Sequence, residues 1–333
     1  MSMSATAQKI SVVMPCYNGA HELHKTIEAL LVQTMPPSEI IVVDDGSTDN
    51  SHEVAASYGH PVKVIRQENA GAAVARREGV LAASGDIIVF NDTGDLSRPD
   101  RLRRLHDALV AHSECVAAYG VTGAPSSTLE QSISFETGRP LDGSVHVVDD
   151  VLNRYLRQCW PLAVGMNLAV RREYARKCIN IPASFKAAND YAFQIHLAAE
   201  GSFVKVEEIL LDYEPTAGGI SAKFGFTKQR AYALKAAALV YEKLHGKAGV
   251  DVEGFRNRVG TEWPDIWIRL RLAKESKLRD DVRVIGLRHA KWVNLPSRTW
   301  WALDKVEREG LLGDSSKLAV WVKNVRRCLN SIR

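Results

Sequence analysis

No stretch of this chain approaches the roughly 18–20 consecutive apolar residues that a membrane-spanning helix needs. Cysteine is sparse: Cys16, Cys115, Cys159, Cys178 and Cys328 are scattered with no CxxC pair. That argues against a disulfide framework and a zinc knuckle, and predicts small buried thiols in a reducing compartment. The ten histidines form no HExxH or similar metal-ligand spacing. Internal repeats and low-complexity segments are missing too. The opening residues, MSMSATAQKISVV, show no charged segment leading into an apolar one. The expected location is therefore cytoplasmic, peripheral at the inner face of the membrane if the basic C-terminal region meets lipid. A glycine-rich GxGxxG turn after the first apolar run is also lacking, since that turn reads Pro15-Cys16-Tyr17-Asn18-Gly19. A dinucleotide-dependent oxidoreductase is thereby disfavoured.

What is present is the profile of a soluble globular protein able to bury a real core, with 46% hydrophobic and 25% charged residues in 333. The charge is uneven. Residues 1–222 carry 19 Lys and Arg against 27 Asp and Glu, whereas residues 223–333 carry 24 against 12. Six of the seven tryptophans lie beyond residue 260. Such asymmetry predicts two parts with different partners.

The first hundred residues alternate between strand and helix signals. Apolar runs at 10–14, 40–43, 62–66 and 87–90 alternate with helical spacing at 22–32, at 72–83 and after Pro99. This pattern predicts a mostly parallel sheet with helices on both faces. Residues 120–143, rich in Gly, Ser, Thr and Pro, read as a long surface loop. Helices are expected at 149–159 and 188–200, short strands at 203–206 and 209–211, and a long helix at 226–245. In such sheets ligands bind where strands end at their carboxyl edge. The polar residues there are Tyr17-Asn18, Asp44-Asp45 and Asn91-Asp92-Thr93-Gly94-Asp95. Each cluster alone is ordinary turn chemistry, but three together signal a site.

The segments VVMPCYNG, IIVVDDGSTDNS, NAGAAVARREGVLAASGDIIVFND and NDYAFQIHLAAEG occur in this order between residues 9 and 221. In sequence and spacing they resemble glycosyltransferase family 2, the inverting enzymes with the glycosyltransferase-A fold. The resemblance implies a single mixed, mostly parallel sheet flanked by helices over 9–222. A flexible segment (1–8) precedes it, and a basic, Trp-rich, mainly helical region (223–333) follows. It also implies an enzyme moving a sugar from a nucleotide-diphosphate-sugar donor to a glycan or lipid-linked acceptor, by direct displacement and non-processively, because no Gln-x-x-Arg-Trp motif is present. By the same resemblance Pro15, Tyr17 and Asn18 lie against the nucleoside base, Asp45 hydrogen-bonds it, Asp44 holds the loop, and Arg76 sits near the donor. Asp190 is the implied base, and Gly165, Met166 and Asn167 line the donor–acceptor junction.

A divalent cation, Mn2+ or Mg2+, is the implied cofactor, held by Asp92 and Asp95, with Asp92 also facing the donor. Gly94 departs from the family pattern, which carries an acidic residue there, and Asn189 departs at the position before the base. Both departures leave open a non-catalytic descendant that keeps the nucleotide pocket as a binding or scaffold protein. In the C-terminal region Trp263, Trp267 and Leu270, and later Trp321, Val325 and Leu329, recur at helical spacing among Lys and Arg. That suits an anionic membrane surface or, equally, a helical core with a solvated face. No nucleic-acid-binding module accompanies the charge.

Overall fold

The computed structural model describes residues 8–123, 140–158, 162–163, 166–182, 184–213, 220–272 and 275–289. The chain divides into two compact units, Met1–Phe255 and Arg256–Arg333. Among the described residues no helix is long and apolar enough to cross a membrane.

The first unit is built on one nine-stranded mixed sheet. Strands β1 (Ile10–Cys16), β2 (Glu39–Asp44), β3 (Val62–Arg66) and β4 (Ile87–Phe90) are parallel, with β1 between β2 and β4. Helices α1 (Ala20–Leu31), α2 (Ser51–Ala56) and α3 (Ala72–Ala82) connect them. β1, β2 and β4 are buried along their whole length because both of their faces are covered, whereas the edge strand β3 is only partly buried. One face packs Val12, Met14, Ile40 and Val42 against Leu23, Ile27 and Leu30 of α1. On the other, α3 lies so close that a Cβ on Gly79 would sit 2.4 Å from Val13 Cγ1.

Beyond β4 the sheet becomes mixed, in the order β4, β8 (Leu168–Arg171), β6 (Ala117–Gly123), β9 (Phe203–Asp212) and β5 (Leu96–Ser97), with β7 (Val145–Val148) also on β9. Helices α4 (Arg101–Ala111), α5 (Val151–Arg157), α6 (Arg172–Cys178) and α7 (Asn189–Ala198) complete this half. The sequence reading needs three corrections here. Residues 120–123, expected in a loop, continue β6, because β9 provides a parallel partner from more than eighty residues away. The two short strands expected at 203–206 and 209–211 are one strand, its pairing shifted in register beside Gly120 and Val121. Strands β5, β7 and β8 carry no strong local signal: β5 and β7 form against β9, and β8 fills the place between β4 and β6.

Helix α8 (Ile220–Leu244) bends at Gly225, whose φ of 64° breaks the helical path. It belongs to the first unit. Tyr232 meets Phe185 at 5.8 Å between ring centroids, and Tyr241 stacks on Phe255 at 4.3 Å. The compact unit runs to Phe255. In the second unit Trp263 of α9 (Val252–Leu272) is 2% exposed and packs against Gly286 of α10 (Ser276–His289). Trp263 is thus a core residue and not a membrane-facing one. The side chains of Trp267 and Leu270, and all of Trp321, Val325 and Leu329, lie outside the described residues.

Candidate functional site

The parallel strands β1–β4 all deliver their carboxyl ends to one edge, where their loops are tied together. Asn18 adopts φ of 52°, a left-handed conformation that Asn tolerates, and its carboxamide oxygen accepts from the Thr48 amide at 2.8 Å. In return the Asn18 amide donates to Ser47 Oγ, the Gly19 amide to Ser51 Oγ, and the Asp45 amide to the Cys16 carbonyl. Pro15 ends this run at β1, and its carbonyl accepts from Thr93 Oγ1. With the loop pinned on both sides, the Tyr17 side chain projects outward, and the residue is 53% exposed.

The two carboxylates after β2 act on the protein itself. Asp44 accepts from the Ser47 amide at 2.9 Å and lies 3.4 Å from Arg66 Nε and 3.7 Å from His52. Asp45 Oδ1 accepts from Gln67 Nε2 and the Ala70 amide, and its Oδ2 from the Gly71 amide, all at 2.7–2.8 Å. Asp45 thereby shapes the turn that launches α3. One lone pair on Oδ2 is left over.

Helix α3 carries Arg76, 8% exposed, into the space beside β4. Its Nη2 donates to both oxygens of Asp92 at 2.7 Å. Burial works against the guanidinium charge, but Asp92, Asp190 and Asp95 outweigh it and raise its pKa. Arg76 thus stands where three carboxylates from two distant parts of the chain act on one cation. Asp190 lies in the first turn of α7 and accepts from the Tyr191 amide at 2.8 Å. Burial raises its pKa, and Asp92 adds to the rise, against the Tyr191 amide and Arg76.

Asp95 is 3% exposed, and its Oδ2 has no hydrogen-bond partner. Burial, then the Asp92 charge, push its pKa up to about 8, with Arg101 and Arg76 opposing and Glu22 adding. Under it lies a buried polar frame that the sequence reading missed. Arg101, fully buried, donates to Asn91 Oδ1, Ser97 Oγ, the Phe90 carbonyl and Asn167 Oδ1 at 2.7–2.9 Å. Asn167 in turn donates to the Val121 carbonyl. Asn167 is thus tied to β6 and, through Arg101, to the β4 loop, and its neighbour Met166, at φ of 53°, is 1% exposed. Gly165 lies outside the described residues. The one sequence signal for Arg101 was its place just after Pro99, at the start of a helix.

Among the described residues no three His, Cys, Asp or Glu side chains form a preassembled metal cage. The orphan oxygen of buried Asp95, beside Asp92, nevertheless fits a cation of the Mg2+ type. Such ions take one or two carboxylates and complete their shell with substrate phosphates and water.

The glycosyl transferase family 2 model matches residues 11–178, which contain all of β1–β4 and their loops. The chain belongs to glycosyl transferase family 2. The uncharacterized glycosyltransferase YibD of Escherichia coli (strain K12) is 42% identical over 96 residues, 28% of each chain. Glycosyltransferase GlyA of Streptococcus pneumoniae serotype 4 is 36% identical over 112 residues, 33% of this chain and 16% of that protein. These matches span less than a third of either relative's length. In fold the chain is similar to S. aureus TarS 1-349 in complex with UDP-GlcNAc, with a TM-score of 0.58 and 17% identity. That likeness covers 84% of this chain and 90% of the TarS 1-349 chain. The fold is of the glycosyltransferase-A type.

Proposed function

We propose that the carboxyl edge of β1–β4 binds a nucleoside diphosphate sugar and that Asp190 is the base for an inverting transfer. The acceptor is a hydroxyl of a glycan or lipid-linked glycan. UDP-sugars are the first donors to try, because TarS, similar in fold, is solved with UDP-GlcNAc. The observation that carries this reading is the 2.7 Å pairing of buried Arg76 with Asp92, with Asp190 and Asp95 acting on the same guanidinium.

Tyr17, exposed beside a pinned loop, offers its ring face to the base, with Pro15 and Asn18 fixing the loop. The free lone pair of Asp45 Oδ2 suits an N–H of that base, and Asp44 holds the turn that carries Asp45. Asp92, oriented by Arg76, and Asp95 would hold a divalent cation, Mn2+ or Mg2+. When bound, the cation supplies charge neutralisation for the departing diphosphate. Asp190 takes the proton of the acceptor hydroxyl. That oxygen attacks the anomeric carbon, the bond from this carbon to the phosphate oxygen breaks, and the nucleoside diphosphate leaves with the bonding pair. A raised carboxyl pKa brings the base closer to the working pH, which favours proton transfer.

The test is release of UDP from a panel of UDP-sugars with glycan acceptors, comparing wild type with Asp190→Asn. Loss of about 10²–10⁴-fold in kcat with nucleotide affinity retained is expected for removal of a general base. Unchanged turnover in Asp190→Asn removes the assigned base.

A further inference from the structure

Helix α7 begins in strain. Its N-cap residue, Ala188, holds φ of 52° and ψ of 35°, the left-handed region that L side chains avoid. Asp190 follows directly, in the first turn. A residue held in that region persists only where the surrounding structure over-determines it. The next residues of the helix, Tyr191, Phe193 and Gln194, are all buried and supply that hold.

Gln194 grips both polar groups of one residue on another segment. Its Nε2 donates to the Ala163 carbonyl at 2.9 Å, and its Oε1 accepts from the Ala163 amide at 3.0 Å. The Tyr155 hydroxyl of α5 donates to the same Oε1 and accepts from the Leu162 amide at 3.0 Å. The Tyr191 hydroxyl lies within hydrogen-bond reach of the Tyr155 and Gln158 carbonyls, and its ring meets that of Tyr155 edge-on at 5.4 Å. Phe193 packs edge-on against Phe90, the last residue of β4, at 5.1 Å. These contacts tie α7 to α5, to Leu162 and Ala163, and to the strand that leads into Asn91 and Asp92. Matching a C=O and an N–H at once takes a carboxamide, since glutamate lacks the donor and leucine lacks both groups.

We infer that Gln194 is a positioning residue for the transfer: its clamp on Ala163, closed by Tyr155, holds the strained start of α7 so that Asp190 keeps its place at the site. Without the clamp Ala188 relaxes toward an ordinary conformation, and the first turn of α7 moves with it. The same clamp fixes the segment that runs from Ala163 toward Met166 and Asn167, so the base and that segment are held by one side chain. The inference rests on the assignment of Asp190 as base and names the residue that places it.

The test compares wild type with Gln194→Leu and Tyr155→Phe, each alone and combined with Ala188→Gly. The readouts are kcat by UDP release from the UDP-sugars and glycan acceptors above, UDP affinity by calorimetry, and urea unfolding. Glu39→Gln, which breaks a buried polar cluster at the opposite end of β2, controls for lost stability. Expected in Gln194→Leu is a kcat about 10–100-fold lower, the scale of a slightly misplaced catalytic group, with UDP affinity unchanged. Tyr155→Phe keeps the ring and should show a smaller loss of the same kind, and it carries the test if Gln194→Leu does not fold. Ala188→Gly should restore part of either loss, because glycine takes the left-handed conformation without strain. Wild-type kcat in both single variants, or losses that Ala188→Gly leaves untouched, overturn the inference while Asp190 keeps its role. Full turnover in Asp190→Asn, or no UDP release by wild type from any of the panel, overturns the site reading and this inference with it.

Discussion

The loops after β2 and β4 both bury an aspartate, and the two are opposite in state. Asp45 receives three hydrogen bonds from Gln67, Ala70 and Gly71, so its charge is compensated by the protein alone. Asp95, equally buried, keeps an oxygen without a partner, and its pKa is driven up to about 8 by burial and by Asp92. A satisfied carboxylate stabilises a fold. An unsatisfied one costs stability and persists where it has something to bind. The β2 loop thus builds the site, while the β4 loop is left incomplete for a ligand to finish.

That contrast is open to direct attack. Asp45→Ala strands three donors, and a loss of about 3 kcal/mol in folding stability is expected in urea unfolding, given ~1–3 kcal/mol for each group left unsatisfied. Asp95→Asn should do the reverse, lowering turnover about 10–100-fold while leaving the urea midpoint unchanged or higher. If the two variants trade these effects, the comparison collapses.

Glu39, at the opposite end of β2, gives a third and purely structural case. Burial opposes its ionisation, but Lys63, Ser11 and Ser84 prevail and lower its pKa from 4.5 to about 2. Its folded pKa is depressed, so its stabilisation is present above pH 4.5 and is lost as pH falls toward 2. Glu39→Gln should cost about 1–3 kcal/mol at pH 7 and flatten acid unfolding across that window, with kcat unaltered. The smallest effect is expected for Tyr17→Ala. Nucleotide affinity should fall roughly 3–10-fold, matching ~0.5–1.5 kcal/mol for an aromatic contact, with no change in melting temperature because the ring is exposed.

The sequence was most legible where the structure is locally determined. Strands β1, β2 and β3 are each followed within a few residues by a helix, and β4 is a short apolar run stopped by Asn91-Asp92, so period and punctuation place them. Residues Gly120–Gly123 of β6 carry no local strand pattern, and they become strand only because β9 lies beside them. The same logic divides the site. Asp92, Asp95 and Asp190 sit at strand and helix ends where a linear motif shows them. Arg101 reads as an ordinary helix-surface residue, since the partner that defines it, Asn167, lies 66 residues away along the chain. Asp45 was visible as a residue but not as the keystone of the Gln67–Gly71 turn.

The central claim is that the edge of β1–β4 is a nucleotide-diphosphate site that a metal ion helps to close. Calorimetric titration of the purified chain with UDP, GDP and dTDP, each with and without manganese, tests it most directly. The account predicts that one nucleotide binds and that manganese tightens it. Binding of none of the three under either condition contradicts it.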